Sequence, residues 1–166
     1  MKVGLIMGSD SDFPVMKKAI AIFKATQPSL FFLRIHFLTH RTPAAVREFV
    51  STAEERGISA FVVGAGMAAH LPGVVASYTT LPVIGVPLES GSLQGMDALL
   101  AIVQMPSGIP VATVAINGAK NGALLAVQIG AASDAALAKK YKAYRENMAN
   151  EVMEKNQKLQ ETIKSL

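Results

Sequence analysis

The chain has no cysteine, no tryptophan and few aromatics, which make up 6% of its 166 residues. The absence of thiols excludes a disulfide framework, a thiolate metal site and a cysteine nucleophile. With 51% hydrophobic residues and so few rings, the core has to be built from Val, Ile, Leu, Ala and Met. That composition suits a buried parallel sheet under helices with small-residue faces. Charge is sparse as well, at 17%, with a formal net of +4 and no tract of five Lys/Arg, so nucleic-acid binding is not indicated. No apolar run free of glycine, proline or charge approaches the ~20 residues of a membrane span. The apolar start Val3–Met7 is too short for an export signal, so no membrane association and a cytoplasmic location are expected.

What is present is alternation. Five short apolar, β-branched runs, Lys2–Met7, Phe31–Phe37, Ala60–Gly64, Pro82–Pro87 and Val111–Ile116, read as strands. Between them lie helical patterns. Phe13–Thr26 places Val15, Met16, Ala19, Ile20 and Phe23 on one face, with Asp12 and Pro14 marking its start. A second helix opens at Thr42-Pro43 and runs to a stop at Gly57, and others are expected over Leu71–Thr79, Leu93–Ile102 and Gly118–Ala131. Such alternation implies right-handed crossovers and an α/β fold, a three-layer doubly wound parallel sheet in flavodoxin-like order. Residues 1–134 are expected to form this α/β unit. Residues 135–166 form a C-terminal helical extension of one or two helices, expected to pack on the same domain or across a subunit interface, since Tyr141, Tyr144 and Met148 would otherwise form an exposed stripe.

In open parallel sheets ligands bind beyond the carboxyl ends of the strands, and the unusual residues collect there. Gly8-Ser9-Asp10-Ser11-Asp12 combines a close-approach glycine, two hydroxyls and a helix start, which suits a phosphate; Ser9 and Ser11 are candidate phosphate or ribose contacts. It is not a Walker P-loop, because the Gly-Lys-Ser ending is missing. Asp12 suits ribose hydroxyls, and helix capping equally. Arg41 can hold phosphate oxygens in bidentate fashion or pair with a surface acid. Beside it, His40 is discouraged from a fixed imidazolium and is the candidate proton carrier; capping of the strand end is its other reading. His70 enters a helix from a glycine-rich loop, where it either contacts an acidic substrate or packs beneath Leu71-Pro72. His36 falls inside a strand and receives no role. The three histidines match no metal-ligand spacing.

Taken together, Met7-Gly8-Ser9-Asp10-Ser11-Asp12, His40-Arg41-Thr42-Pro43, Gly64-Ala65-Gly66, Ala68-Ala69-His70-Leu71-Pro72-Gly73, Leu81-Pro82-Val83, Gly85-Val86-Pro87 and Ile102-Val103-Gln104-Met105-Pro106 resemble the class I N5-carboxyaminoimidazole ribonucleotide mutase (PurE) family over about Val3 to Leu137. The resemblance implies a homo-octamer of three-layer α/β subunits that moves a carboxylate on a purine-pathway ribonucleotide. It implies that Ser9, Asp12 and Arg41 hold the nucleotide, that His40 is the general acid and base, and that the His70 loop retains carbon dioxide. No metal, ATP or organic cofactor is called for. A catalytically impaired nucleotide-binding paralogue and a direct carboxylase are the alternatives. Where the family loop has two consecutive glycines this chain has Gly66-Met67, a bulky residue at a backbone position suited to glycine.

Overall fold

The computed structural model describes residues 1–26 and 42–166, and the backbone of 36–37. Strands β1 (Lys2–Met7), β2 (His36–Phe37), β3 (Ile58–Gly66), β4 (Val83–Leu88) and β5 (Ala112–Thr113) form one parallel sheet in the order β2-β1-β3-β4-β5. This is the expected flavodoxin-like order. Of the expected strand Phe31–Phe37, the last two residues are described; the rest lies outside the described residues.

The alternation of side chains along each strand explains the three layers. Val3, Leu5, Met7, Ala60, Val62, Ile84 and Val86 face one way. They are covered by α1 (Phe13–Thr26) through Met16, Ala19 and Phe23, and by α5 (Ala119–Ala131) through Ala119, Ala123, Ala126 and Val127. Ile6, Phe61, Val63, Ala65 and Val83 face the other way, under α2 (Pro43–Ser51), α3 (Leu71–Ser77) and α4 (Met96–Val103). Burial on both faces is why these strands read as unbroken apolar runs. Glycines set how closely the layers approach. A Cβ on Gly122 would stand 2.9 Å from a Val86 methyl, and one on Gly85 would collide with Ile102 and Val111.

Some boundaries differ from the sequence reading, each for a local reason. Helix α2 ends at Ser51, and a 3-10 turn over Glu54–Arg56 carries the chain to Gly57, which has φ +72. Arg56 folds back over the end of α2, donating to the carbonyls of Phe49 and Thr52 and stacking on the Phe49 ring at 4.3 Å. Helix α4 starts at Met96 because Gly91, Gln94 and Gly95 have φ of +60, +49 and +86, which a helix cannot contain. Strand β5 stops at Thr113: Val114 and Asn117 still donate to Gly85 and Pro87, but a turn closed by Gly118 N–H on the Ala115 carbonyl interrupts the ladder.

The chain after Asp134 is one 30-residue helix, α6 (Ala135–Lys164), capped by Asp134 Oδ1, which accepts from Leu137 N–H at 3.0 Å. Leu137 is fully buried in the first core cluster, and Tyr141 and Tyr144 pack against it. Of the two coverings expected for this stripe, the chain's own core supplies part of that over Tyr141 and Tyr144. Among the described residues, no helix is long and apolar enough to cross a membrane.

Gly85→Ala tests the layer spacing. The added methyl has no space between β4, Ile102 and Val111, so we expect unfolding free energy to fall by about 1–3 kcal/mol, read as a lower urea midpoint with an unchanged slope.

Candidate functional site

The carboxyl edge of the sheet opens into a cleft of about 450 Å³ between the loop after β1 and the loop after β3. Gly8, Ser9, Ser11 and Asp12 line one wall; Ala65 to Leu71 and Ser90 line the other. Four of the candidate residues, Ser9, Ser11, Asp12 and His70, thus meet in one cavity. The other two, His40 and Arg41, lie outside the described residues.

The first loop is organised by its own polar groups. Ser9 is the N-cap of a 3-10 turn over Asp10–Asp12 that runs directly into α1. Asp12, third in that turn, reaches back so that Oδ2 accepts from Gly8 N–H and Ser9 N–H, both at 3.0 Å. This is a capping box, so the cap of the helix entry is Ser9 rather than Asp12. Ser11 N–H donates to Asp10 Oδ1 at 3.0 Å and to Ser9 Oγ at 3.3 Å. The backbone donors of Gly8, Ser9 and Ser11 are therefore engaged inside the loop. For an incoming anion the loop offers its hydroxyls: Ser9 Oγ–H, which points to Asp10 Oδ1 at 2.9 Å, and Ser11 Oγ–H, which has no hydrogen bond among the described residues.

Burial of Asp12 raises its pKa above the ordinary 3.8; the N–H groups of Ser9 and Gly8 pull against that shift, and the nearby Asp10 charge adds to it. Asp10 is fully exposed and shifts the other way, lowered chiefly by the Ser9 hydroxyl and then by the Ser11 N–H. The half-buried Asp12 leaves Oδ1 without a hydrogen bond among the described residues, a geometry open to a pair of sugar hydroxyls.

The opposite wall is a strained turn. Met67 and Ala69 have φ of +54 and +42, left-handed values for residues that carry a Cβ. Ala69 N–H donates to the Gly66 carbonyl at 3.0 Å, and Met67 N–H to Ser90 Oγ at 3.0 Å. Gly66 has no room for a side chain, because a Cβ would sit 2.7 Å from Ser90 Oγ. The Met67 side chain is 65% exposed beside the cleft. His70 precedes α3 and is exposed along the cavity, whereas Leu71 and Pro72 are buried; it does not pack beneath them.

Ser90 is the cleft residue that sequence reasoning passed over. It sits in the loop after β4, at the sheet edge where ligands are expected, but received no role of its own; its contact with Met67 marks it out. The neighbouring residue is fixed by a second loop-to-loop tie. Asn117 Nδ2 donates to Glu89 Oε2 at 2.9 Å, while Glu89 N–H donates to Asn117 Oδ1 at 3.0 Å. Among the described lining residues there is no Lys or Arg.

A flavodoxin-like sheet with a cleft at its carboxyl edge, one wall polar and the other largely apolar, at the crossing-over of strand order around β1 and β3, defines an α/β protein that binds a small molecule there. The chain belongs to the AIR carboxylase family, whose model matches residues 2–151. It is 51% identical over 160 residues to the N5-carboxyaminoimidazole ribonucleotide mutase of Thermotoga maritima, covering 96% of this chain and 92% of that protein. It is 54% identical over 147 residues to the protein of the same name from Pyrococcus abyssi, covering 89% and 83%. The crystal structure of Treponema denticola PurE superposes with a TM-score of 0.80 at 29% identity, covering 95% of this chain and 97% of that one.

The raised pKa of Asp12 has a signed consequence for stability. The folded state holds the Asp12 proton to higher pH than the unfolded chain does, so the stability it contributes is complete below pH 3.8 and is lost as pH rises through the folded-state pKa. Urea unfolding of the parent and of Asp12→Asn at a series of pH values should show the parent losing stability relative to the variant across that rise. A difference that stays flat or grows with pH would contradict it.

Proposed function

We propose that this protein is an N5-carboxyaminoimidazole ribonucleotide mutase, an isomerase of purine nucleotide synthesis that transfers a carboxylate from the exocyclic nitrogen to C4 of an aminoimidazole ribonucleotide. The observation that carries this reading is the identity of about half the residues with proteins of that name over nearly the whole chain.

The reading assigns the sugar and phosphate to the first wall of the cleft. Asp12 Oδ1 accepts from the ribose hydroxyls, and Ser9 and Ser11 donate to the phosphate. Since the described wall holds no cation, the counter-charge for the phosphate falls to Arg41, with its planar pair of donors. His40 is the proton carrier.

The proton balance requires one group. The bond between the exocyclic nitrogen and the carboxylate carbon breaks, releasing carbon dioxide, and His40 gives its proton to that nitrogen. C4, made nucleophilic by the enamine-like nucleotide, then forms a bond to the carbon dioxide. The neutral imidazole removes the C4 proton, restoring both the aromatic ring and the imidazolium. The Ala68–His70 turn closes the cavity over the free carbon dioxide, so recapture is effectively unimolecular.

The purified protein should interconvert the two carboxylated nucleotides without ATP. His40→Asn should lower kcat by about 100- to 10,000-fold while nucleotide binding persists; equal turnover by the variant rejects the assigned base. Productive turnover of uncarboxylated nucleotide at low dissolved carbon dioxide would reassign the enzyme to direct carboxylation.

The reading also includes a cytoplasmic homo-octamer. At 3.6 residues per turn, Leu137, Tyr141, Tyr144, Met148, Val152, Leu159 and Ile163 fall within an arc of about 100° on α6. The first three are covered by the chain's own core, while Met148, Val152, Leu159 and Ile163 are exposed. A neighbouring copy covers this outer part of the stripe. Truncation after Asn147 keeps Leu137 and both tyrosines, so helical circular dichroism should persist while the mass in solution drops to a smaller species. An unchanged mass discards the interface role of α6.

A further inference from the structure

The geometry points to Ser90 as a substrate-positioning residue whose hydroxyl donates a hydrogen bond to the migrating carboxylate at the heterocycle end of the cleft; the inference rests on the mutase reading and adds a group that reading does not use.

Three observations carry it. First, the direction of the hydroxyl is set by its partner. Ser90 Oγ accepts from Met67 N–H at 3.0 Å, which uses a lone pair and leaves the O–H to donate; that proton finds no acceptor among the described residues. Second, the oxygen cannot wander. A Cβ at Gly66 would stand 2.7 Å from Ser90 Oγ, so the hydroxyl is packed against the backbone at the end of β3, and the adjacent Glu89 is clamped by both halves of the Asn117 amide. Third, Ser90 lines the cleft on the wall opposite Ser9, Ser11 and Asp12, in the half-buried class of exposure.

The chemistry of the two walls decides what the donor is for. The first wall carries two hydroxyls and a carboxylate, the set that suits a sugar and its phosphate. The second is built of Ala65, Gly66, Met67, Ala68, Ala69 and Leu71, small or apolar positions that suit a flat ring, with Ser90 and His70 as its polar side chains. With the sugar on the first wall, the strongest acceptor that reaches the second is the carboxylate on the ring. A fixed neutral donor suits a group that travels from the exocyclic nitrogen to C4, because it holds one carboxylate oxygen without adding a full charge that would oppose release as carbon dioxide. Hydrogen bonds to a charged acceptor are the stronger class.

The test compares two nucleotides that differ in the carboxylate alone. Binding of the C4-carboxylated nucleotide and of uncarboxylated aminoimidazole ribonucleotide is measured by calorimetry on the full chain, for the parent, Ser90→Ala and Ser90→Thr. The expected result is that Ser90→Ala weakens the carboxylated nucleotide by about 10- to 100-fold, changes the uncarboxylated one by less than about 3-fold, and that Ser90→Thr, which keeps the hydroxyl, recovers most of the loss. Equal weakening of both nucleotides would show that Ser90 only supports the Met67 turn and would overturn the proposal, as would no change in either. Ser90→Thr guards against a folding defect: if Ser90→Ala alone fails to fold, discrimination between the two nucleotides by Ser90→Thr that matches the parent sustains the proposal, and loss of discrimination rejects it. A parent protein that binds neither nucleotide rejects the mutase reading itself, a result distinct from any of these.

Discussion

Strands β1, β3 and β4 are covered on both faces, and this double burial governs the remainder of the molecule. A peptide layer between two helical layers has no lateral surface on which to place a polar side chain without leaving it unsatisfied. Val3 through Met7 and Ala60 through Gly64 accordingly contain no polar side chain. Parallel pairing then sends every strand out at the same edge, so the groups excluded from the core are gathered there by topology. The cleft is a consequence of how the sheet is buried.

The same edge concentrates backbone strain. Among the described residues, Met67, Ala69, Gln94 and Asn117 are the non-glycine residues with positive φ, and all four lie in loops that follow β3, β4 or β5. Each such residue costs about 1–3 kcal/mol in the sparser regions of backbone space. Hydrogen bonds between loops offset part of that cost. Asn117 engages Glu89 twice and the Pro87 carbonyl once, and Ser90 holds Met67. The loops after β3, β4 and β5 therefore form a connected frame rather than independent turns.

How far the residues alone disclose this depends on whether the determining contact is local. The bounds of β1 and α1 were legible because an apolar run ends at Gly8 and an apolar face repeats cleanly from Phe13 to Thr26. The parallel, doubly wound sheet followed from alternation, whereas the order of its strands is set by which strands pair across the sheet. The start of α4 was not legible, because nothing in Leu93-Gln94-Gly95 announces that Gln94 takes a left-handed conformation or that Gly95 lies too close to Glu89 and Ile116 for a side chain. Strand β5 was read too long for a related reason, its apolar residues continuing past the point where the Gly118 turn breaks the ladder. In the cleft, Ser9, Asp12 and His70 stood out from their loop composition. Ser90 did not, since a serine between Glu89 and Gly91 looks like any turn residue until Met67, far away in sequence, is placed against it.

Charge gives a division of labour between the parts of the cleft. The net charge of the chain is +4, yet the described lining contains the Asp12 carboxylate and no Lys or Arg. A bare phosphate brought against that wall meets a half-buried carboxylate that burial already discourages from ionising. The repulsion is relieved in one of two ways: Asp12 takes up a proton, or a cation arrives with the phosphate. The first puts the proton on Oδ1 and leaves Oδ2 accepting from Gly8 and Ser9, but removes the charge that strengthens both bonds. The second keeps those bonds charge-assisted, and under the proposed function that cation comes from outside this wall. Under the proposed function, the framed loops would then set which nucleotide fits, and that cation how tightly its phosphate is held.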